Sequence, residues 1–97
     1  MFTDASLSVD NVTKVMELVA ADRMMKVWEK LGISGALVEL IFISTPSKKT
    51  QACVDLFLNC RPEIPSWKEI VRVVYNCEEM AAAREAKQFC HRNGKYC

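Results

Sequence analysis

The stretch Pro65-Ser66-Trp67-Lys68-Glu69-Ile70-Val71 decides the fold of this chain, because it marks a helix start and the side of that helix that turns inward. Ser66 has the side chain to accept from the backbone N–H of Glu69 while Glu69 reaches back to Ser66, the reciprocal pattern of a capping box, with Pro65 just outside it. Trp67, Ile70, Val71 and Val74 then fall at i, i+3, i+4 and i+7, so one face is large and apolar. A helix starts here and packs inward.

Working outward toward the N-terminus, Arg61 to Pro65 holds two prolines and reads as a loop. Before it, Cys53, Leu56, Phe57 and Cys60 repeat at helical spacing behind Thr45 and Pro46, an N-cap and first-turn pair. Further back, Ser34 is placed to cap a segment in which Leu37, Leu40 and Ile41 have helical spacing. Val38, Phe42 and Ile43 make that segment apolar almost all round, so pattern alone also fits a buried strand; helix is the preferred reading. Met24, Val27, Trp28 and Leu31 form a short stripe that Gly32 stops with a left-handed residue. Ser8 caps the first stripe, Val9, Val12, Val15, Met16 and Val19, which runs to near Ala21 with Asp10 in its first turn. The charged step Asp22-Arg23 separates these two helices.

Toward the C-terminus, the helix of Trp67 ends around Tyr75 or Asn76, and a last helix begins at Asn76 or Cys77 with Glu78 and Glu79 in an acidic first turn. Ala82, Ala86 and Phe89 face its core side, Lys87, His91 and Arg92 lie toward its basic end, and Gly94 terminates it. Lys95 to Cys97 read as a frayed end. The chain shows no internal repeat, low-complexity tract or linker. An all-α bundle of six short helices, one domain spanning residues 1–97, is the economical reading.

Ninety-seven residues suffice for one core and exclude a multidomain enzyme. A hydrophobic fraction of 51% with only three Gly and three Pro belongs to a packed helical domain and not to a disordered segment. The formal charge of +1 argues against a strongly basic nucleic-acid footprint, although residues 46–97 carry nine Lys/Arg against six Asp/Glu and residues 1–45 carry four against six. No apolar run is longer than that of Leu40 to Ile43, which is far short of the roughly 20 residues of a membrane span. Asp4 near the start and the lack of a basic region followed by an apolar run argue against a secretory signal, which leaves a cytoplasmic address as the default.

Nothing in the chain points to catalysis. Its five cysteines, Cys53, Cys60, Cys77, Cys90 and Cys97, are odd in number and contain no CxxC pair, so they read as buried or neutral thiols and not as a metal or disulfide framework. His91 is the single histidine; its neighbour Cys90 points roughly 100° away on a helix, which removes the one Cys/His pair available. There is no glycine-rich phosphate loop and no metal-ligand spacing, so no cofactor, metal or small-molecule substrate is expected.

In its order of motifs the chain resembles the death domain family of the death-fold superfamily. Leu31, Gly32 and Ile33 close the second helix, Leu37 and Leu40 lie in the third, Phe57 precedes a proline-containing loop, and Pro65, Ser66, Trp67, Ile70, Val71 and Val74 are similar to the family's opening of helix five. The resemblance covers about residues 8–94. Met24 stands where the family commonly has a Trp, and Trp28 where a small residue is usual, which implies a repacked core. The resemblance implies a six-helix antiparallel Greek-key bundle without enzymatic activity, which associates homotypically with itself or another death-fold domain and stacks into helical oligomers in apoptotic or innate-immune signalling.

The surfaces that such domains use correspond here to Asp22, Arg23 and Lys26; to Lys48 and Lys49; to Arg61 and Glu63; and to Glu78 and Glu79. Opposite charges on heterologous faces would register a head-to-tail stack. The plain alternative is solvated charge, and the helix dipole alone accounts for Glu78 and Glu79. Lys48 and Lys49 stand out, since two cations in a first turn oppose that dipole. A competing function from another class is a small helical nucleic-acid binder built on Lys48, Lys49, Lys68 and Arg72.

Overall fold

Ser66 does cap the helix that follows it: its hydroxyl accepts from the Glu69 N–H at 3.1 Å in a computed structural model of the chain, which describes residues 6–92. The six helices are α1 (Val9–Met16), α2 (Met24–Lys30), α3 (Gly35–Ser44), α4 (Lys49–Asn59), α5 (Trp67–Asn76) and α6 (Met80–Arg92). Short 3₁₀ turns at Ala21–Arg23 and Pro46–Lys48 lead into α2 and α4, and the described residues hold no strand. The strand alternative for residues 34–44 is therefore closed in favour of helix. Gly94 and Lys95 to Cys97 lie outside the described residues, as do the side chains of His91 and Arg92.

Helix α1 packs against both α4 and α6, α2 against α3 and α5, α3 against α4, and α5 against α6. Val12, Val15 and Met16 of α1, Val27 and Trp28 of α2, Val38 of α3 and Cys53, Val54 and Phe57 of α4 are fully buried, so the helical stripes read from the sequence meet in one core. Trp67 is 3% exposed and stacks on Phe89 of α6 with ring centroids 4.6 Å apart, while its Nε1 donates to the Ser6 hydroxyl at 2.9 Å. That contact ties the segment before α1 to the α5–α6 pair. A radius of gyration of 12.5 Å matches the roughly 12.5 Å of a close-packed chain of this length.

Several helix ends differ from the sequence reading. Helix α1 stops at Met16 and not near Ala21, because the chain tightens there with Leu18 N–H to Val15 and Val19 N–H to Met16, which turns Val19 into the core and leaves Leu18 outside. Neither Ser34 nor Thr45 makes a side-chain cap; the Thr45 hydroxyl donates back to Ile41 O at 3.0 Å and closes α3 instead. Helix α6 starts at Met80, not at Asn76 or Cys77, because α5 runs through Asn76 and is closed by a backbone turn at Glu78. Cys90 is disulfide-bonded, which corrects the expectation of a buried thiol.

Candidate protein-interaction surface

The charged residues singled out above fall at three corners of the bundle, and the corners differ in how much charge they leave for a partner. At the first, Arg23 in the turn before α2 donates from Nη1 to the Cys77 carbonyl at 2.9 Å and stands 3.5 Å from Glu79 Oε2. Glu79 Oε1 accepts from the Ala20 N–H at 3.1 Å. Residues that the family resemblance assigns to separate surfaces are thus joined, the α1–α2 connection with the α5–α6 turn. Glu79 is no first-turn residue of α6: its carbonyl accepts the first helical bond, from the Ala83 N–H, and its carboxylate serves the clasp, so the dipole reading does not account for it. Asp22, Lys26 and Glu78 remain exposed around an open cleft of about 220 Å³ that Lys26 and Glu78 help to line.

Glu78 holds a φ of 62°, the left-handed conformation that glycine ordinarily supplies at a helix end. Its N–H donates to Tyr75 O at 3.0 Å and the Glu79 N–H to Val74 O at 2.9 Å, which closes α5. A side chain with a Cβ pays a steric cost there that glycine would avoid.

At the second corner, Lys48 and Lys49 open α4 with no side-chain cap beside them. Lys49 is half-buried, with Nζ 5.0 Å from the centroid of the Phe42 ring, so much of its charge is answered within the fold. Lys48 is exposed and makes no ion pair among the described residues. It lines two neighbouring grooves between α1 and α4, one of about 580 Å³ that also reaches Asp10 and Asp55, and one of about 170 Å³ beside Thr13 and Glu17.

The third corner is turned inward. Arg61, expected as a surface contact, has a side chain only 5% exposed. Its guanidinium lies 4.4 Å from the centroid of Phe57, donates to the Leu31 carbonyl at 2.8 Å and holds the Glu69 carboxylate through two bonds of 2.6 and 2.9 Å. A bidentate charge-assisted pair outcompetes a single neutral N–H, so the Glu69 carboxylate faces Arg61 and the reciprocal half of the capping box is not made. Glu63 stays exposed at the rim, 3.9 Å from Arg61.

Sequence reasoning missed Glu69 as the partner of Arg61, because a capping box already gave it a role. It also missed that Leu37, Leu40 and Ile43 of α3 are exposed, although a segment apolar on every side carries more apolar surface than one core face can cover. The remaining cysteines are plain. Cys60 is exposed, Cys77 is buried, and burial pushes the Cys53 thiol up to about 11. Among the described residues no group of three His, Cys, Asp or Glu side chains gathers as a metal site, and no helix is long and apolar enough to cross a membrane. Lys68 and Arg72 are exposed on α5. Comparison of the chain with protein-family models, with curated proteins and with solved structures returns no match.

Proposed function

We propose that this chain is a death-fold interaction module, an antiparallel Greek-key bundle that binds a second death-fold domain, its own copy included, through complementary charged corners. The exposed charge at Lys48 carries the reading: a cation at the N-terminal end of α4 opposes the helix dipole and has no counter-ion among the described residues. Glu78, exposed on a left-handed turn where glycine would be less strained, is the matching acidic feature at another corner. The order of the helices and the packing of α1 on both α4 and α6 support the bundle assignment. The role is adaptor assembly in cytoplasmic apoptotic or innate-immune signalling.

Within this reading Arg61 acts on the scaffold, Asp22 and Lys26 flank the contact at the Glu78 corner, and Glu63 stands apart at the rim of the third corner. The experiment is a mixing test with charge reversals. Lys48→Glu and Glu78→Lys each abolish self-association measured by light scattering at low salt, and an equimolar mixture of the two variants restores a heterodimer. Reversals that leave wild-type association unchanged, or a mixture that restores nothing, sink the pairing. Binding of duplex DNA or RNA that weakens steeply with salt would favour the nucleic-acid reading instead.

A further inference from the structure

Lysine or arginine residues stand four apart at just two places in this chain, Lys26 with Lys30 and Lys68 with Arg72, and the fold packs the two helices that carry them against each other. Helices α2 and α5 run antiparallel. Arg61 joins Leu31 O at the end of α2 to Glu69 in the first turn of α5, and Arg23, just ahead of α2, donates to Cys77 O at the end of α5. Lys26 lines one cleft together with Asn76, which stands one turn beyond Arg72. The two cation pairs therefore form two rows side by side.

All four side chains are exposed, and none enters an ion pair among the described residues. The acids within reach are engaged elsewhere. Both terminal nitrogens of Arg61 hold Glu69, and Glu79 serves Arg23 and the Ala20 N–H. Glu29 turns toward α3, its Oε2 lying 2.5 Å from where a Cβ on Gly35 would stand. Like charges at i, i+4 destabilise a helix, and a second pair of the same sign alongside adds to the field, so the fold holds a patch of positive potential that an anionic partner would relieve. Exposed acids close the patch at both ends, Asp22 and Glu78 at one and Glu63 at the other.

Those closed ends decide what fits. An extended polyanion, a nucleic-acid duplex or a charged bilayer, would run over the acids, and a net charge of +1 gives the whole molecule little attraction to one. The space between them is about 10 Å, the length of the seven-residue α2, which takes about two turns of a helix. A helix laid along the two rows offers one flank to each, and carboxylates four residues apart on it repeat at the spacing of the cations. No two acidic residues of this chain stand three or four apart, so no helix of a second copy supplies that row. We propose that the α2–α5 face docks a short acidic helix of another protein, whose carboxylates, four residues apart, meet Lys26, Lys30, Lys68 and Arg72. The acids at both ends of the patch select basic residues on either side of that helix. This surface goes beyond the Lys48–Glu78 contact and rests on no part of the family reading.

Fluorescence anisotropy of labelled peptides with the full chain at low salt tests it. The probe is an alanine-based helical peptide with Glu pairs at i, i+4 on one side and lysine at both ends; its control has the same composition with the glutamates spread round the helix. Wild type binds the probe at least about tenfold tighter than the control, and the affinity falls as salt rises. Lys30→Glu and Arg72→Glu each lower it at least about tenfold with thermal midpoints no lower than that of wild type, whereas Lys48→Glu, which tests the self-association above, leaves it unchanged. Equal binding of probe and control, binding of neither, or a Lys30→Glu or Arg72→Glu variant that binds the probe like wild type overturns the proposal, as does tighter binding to duplex DNA or to phosphatidylserine vesicles than to the probe.

Discussion

The C-termini of α2 and α5 close with the same backbone device. At α2 the Ile33 N–H reaches Trp28 O and the Gly32 N–H reaches Glu29 O, both at 3.0 Å; at α5 the Glu79 N–H reaches Val74 O at 2.9 Å and the Glu78 N–H reaches Tyr75 O at 3.0 Å. Each is a Schellman closure with one left-handed residue, Gly32 at φ 90° and Glu78 at φ 62°. In each, an arginine from a distant segment donates to the last carbonyl and pairs with a glutamate, Arg61 with Glu69 and Arg23 with Glu79. What differs is water. Arg61 is 5% exposed over an aromatic ring, whereas Arg23 is 47% exposed. The same chemistry is a structural bolt in one place and a screened surface clasp in the other.

The largest effect expected from breaking this comparison is at Arg61. Arg61→Met leaves the Glu69 carboxylate partly buried without its cation and costs about 3–5 kcal/mol in urea denaturation, of which the double variant with Glu69→Met regains most, since an apolar pair avoids the desolvation cost. Next come the two left-handed residues. Gly32→Ala places a Cβ at positive φ and destabilises by about 1–2 kcal/mol, whereas Glu78→Gly removes the same strain and stabilises by up to about 1 kcal/mol, both read from thermal unfolding. Opposite signs at equivalent positions would sharpen the parallel; a loss at both would break it.

Arg23→Ala is a smaller step, below about 1 kcal/mol, and high salt erases the difference from wild type. Thiol labelling separates the two ends further. Arg23→Ala speeds reaction at Cys77, whose carbonyl it uncovers, and leaves Cys53 protected; Arg61→Met does the reverse, because Cys53 lies one turn before Phe57 on α4. Cys53 also gives the stability a pH limit. Burial raises its pKa from 9.0 to about 11, so the unfolded chain loses that proton first. Its contribution is intact below pH 9.0 and is lost as pH rises toward about 11. Cys53→Ala removes that alkaline decline.

The two ends were unequally legible. Gly32 announces a helix stop because glycine is the residue that adopts positive φ freely, while Glu78 gives no such signal and by its letters suits the acidic start of the next helix. Arg61 and Lys48 look alike as letters in charged, proline-flanked stretches. Only one is withdrawn from solvent, and its burial depends on Phe57, Leu31 and Glu69 converging from three helices or their ends. The candidate surface was therefore readable as a set of charges but not as a choice among them.

Local signals carried the preferred all-α reading, the order of six helices and the inward stripes at Val12, Trp28, Phe57 and Trp67, because apolar periodicity, caps and prolines act over a few residues; for residues 34–44 the same signals also fitted a buried strand. Packing across the bundle settled that Arg61 and Glu79 serve the scaffold, that Lys48 makes no ion pair among the described residues, and that α3 turns a second apolar side outward. Those outcomes depend on which groups are brought together across 30 to 59 residues of chain, where dielectric and geometry, not local propensity, set the energy of a charge or an apolar face.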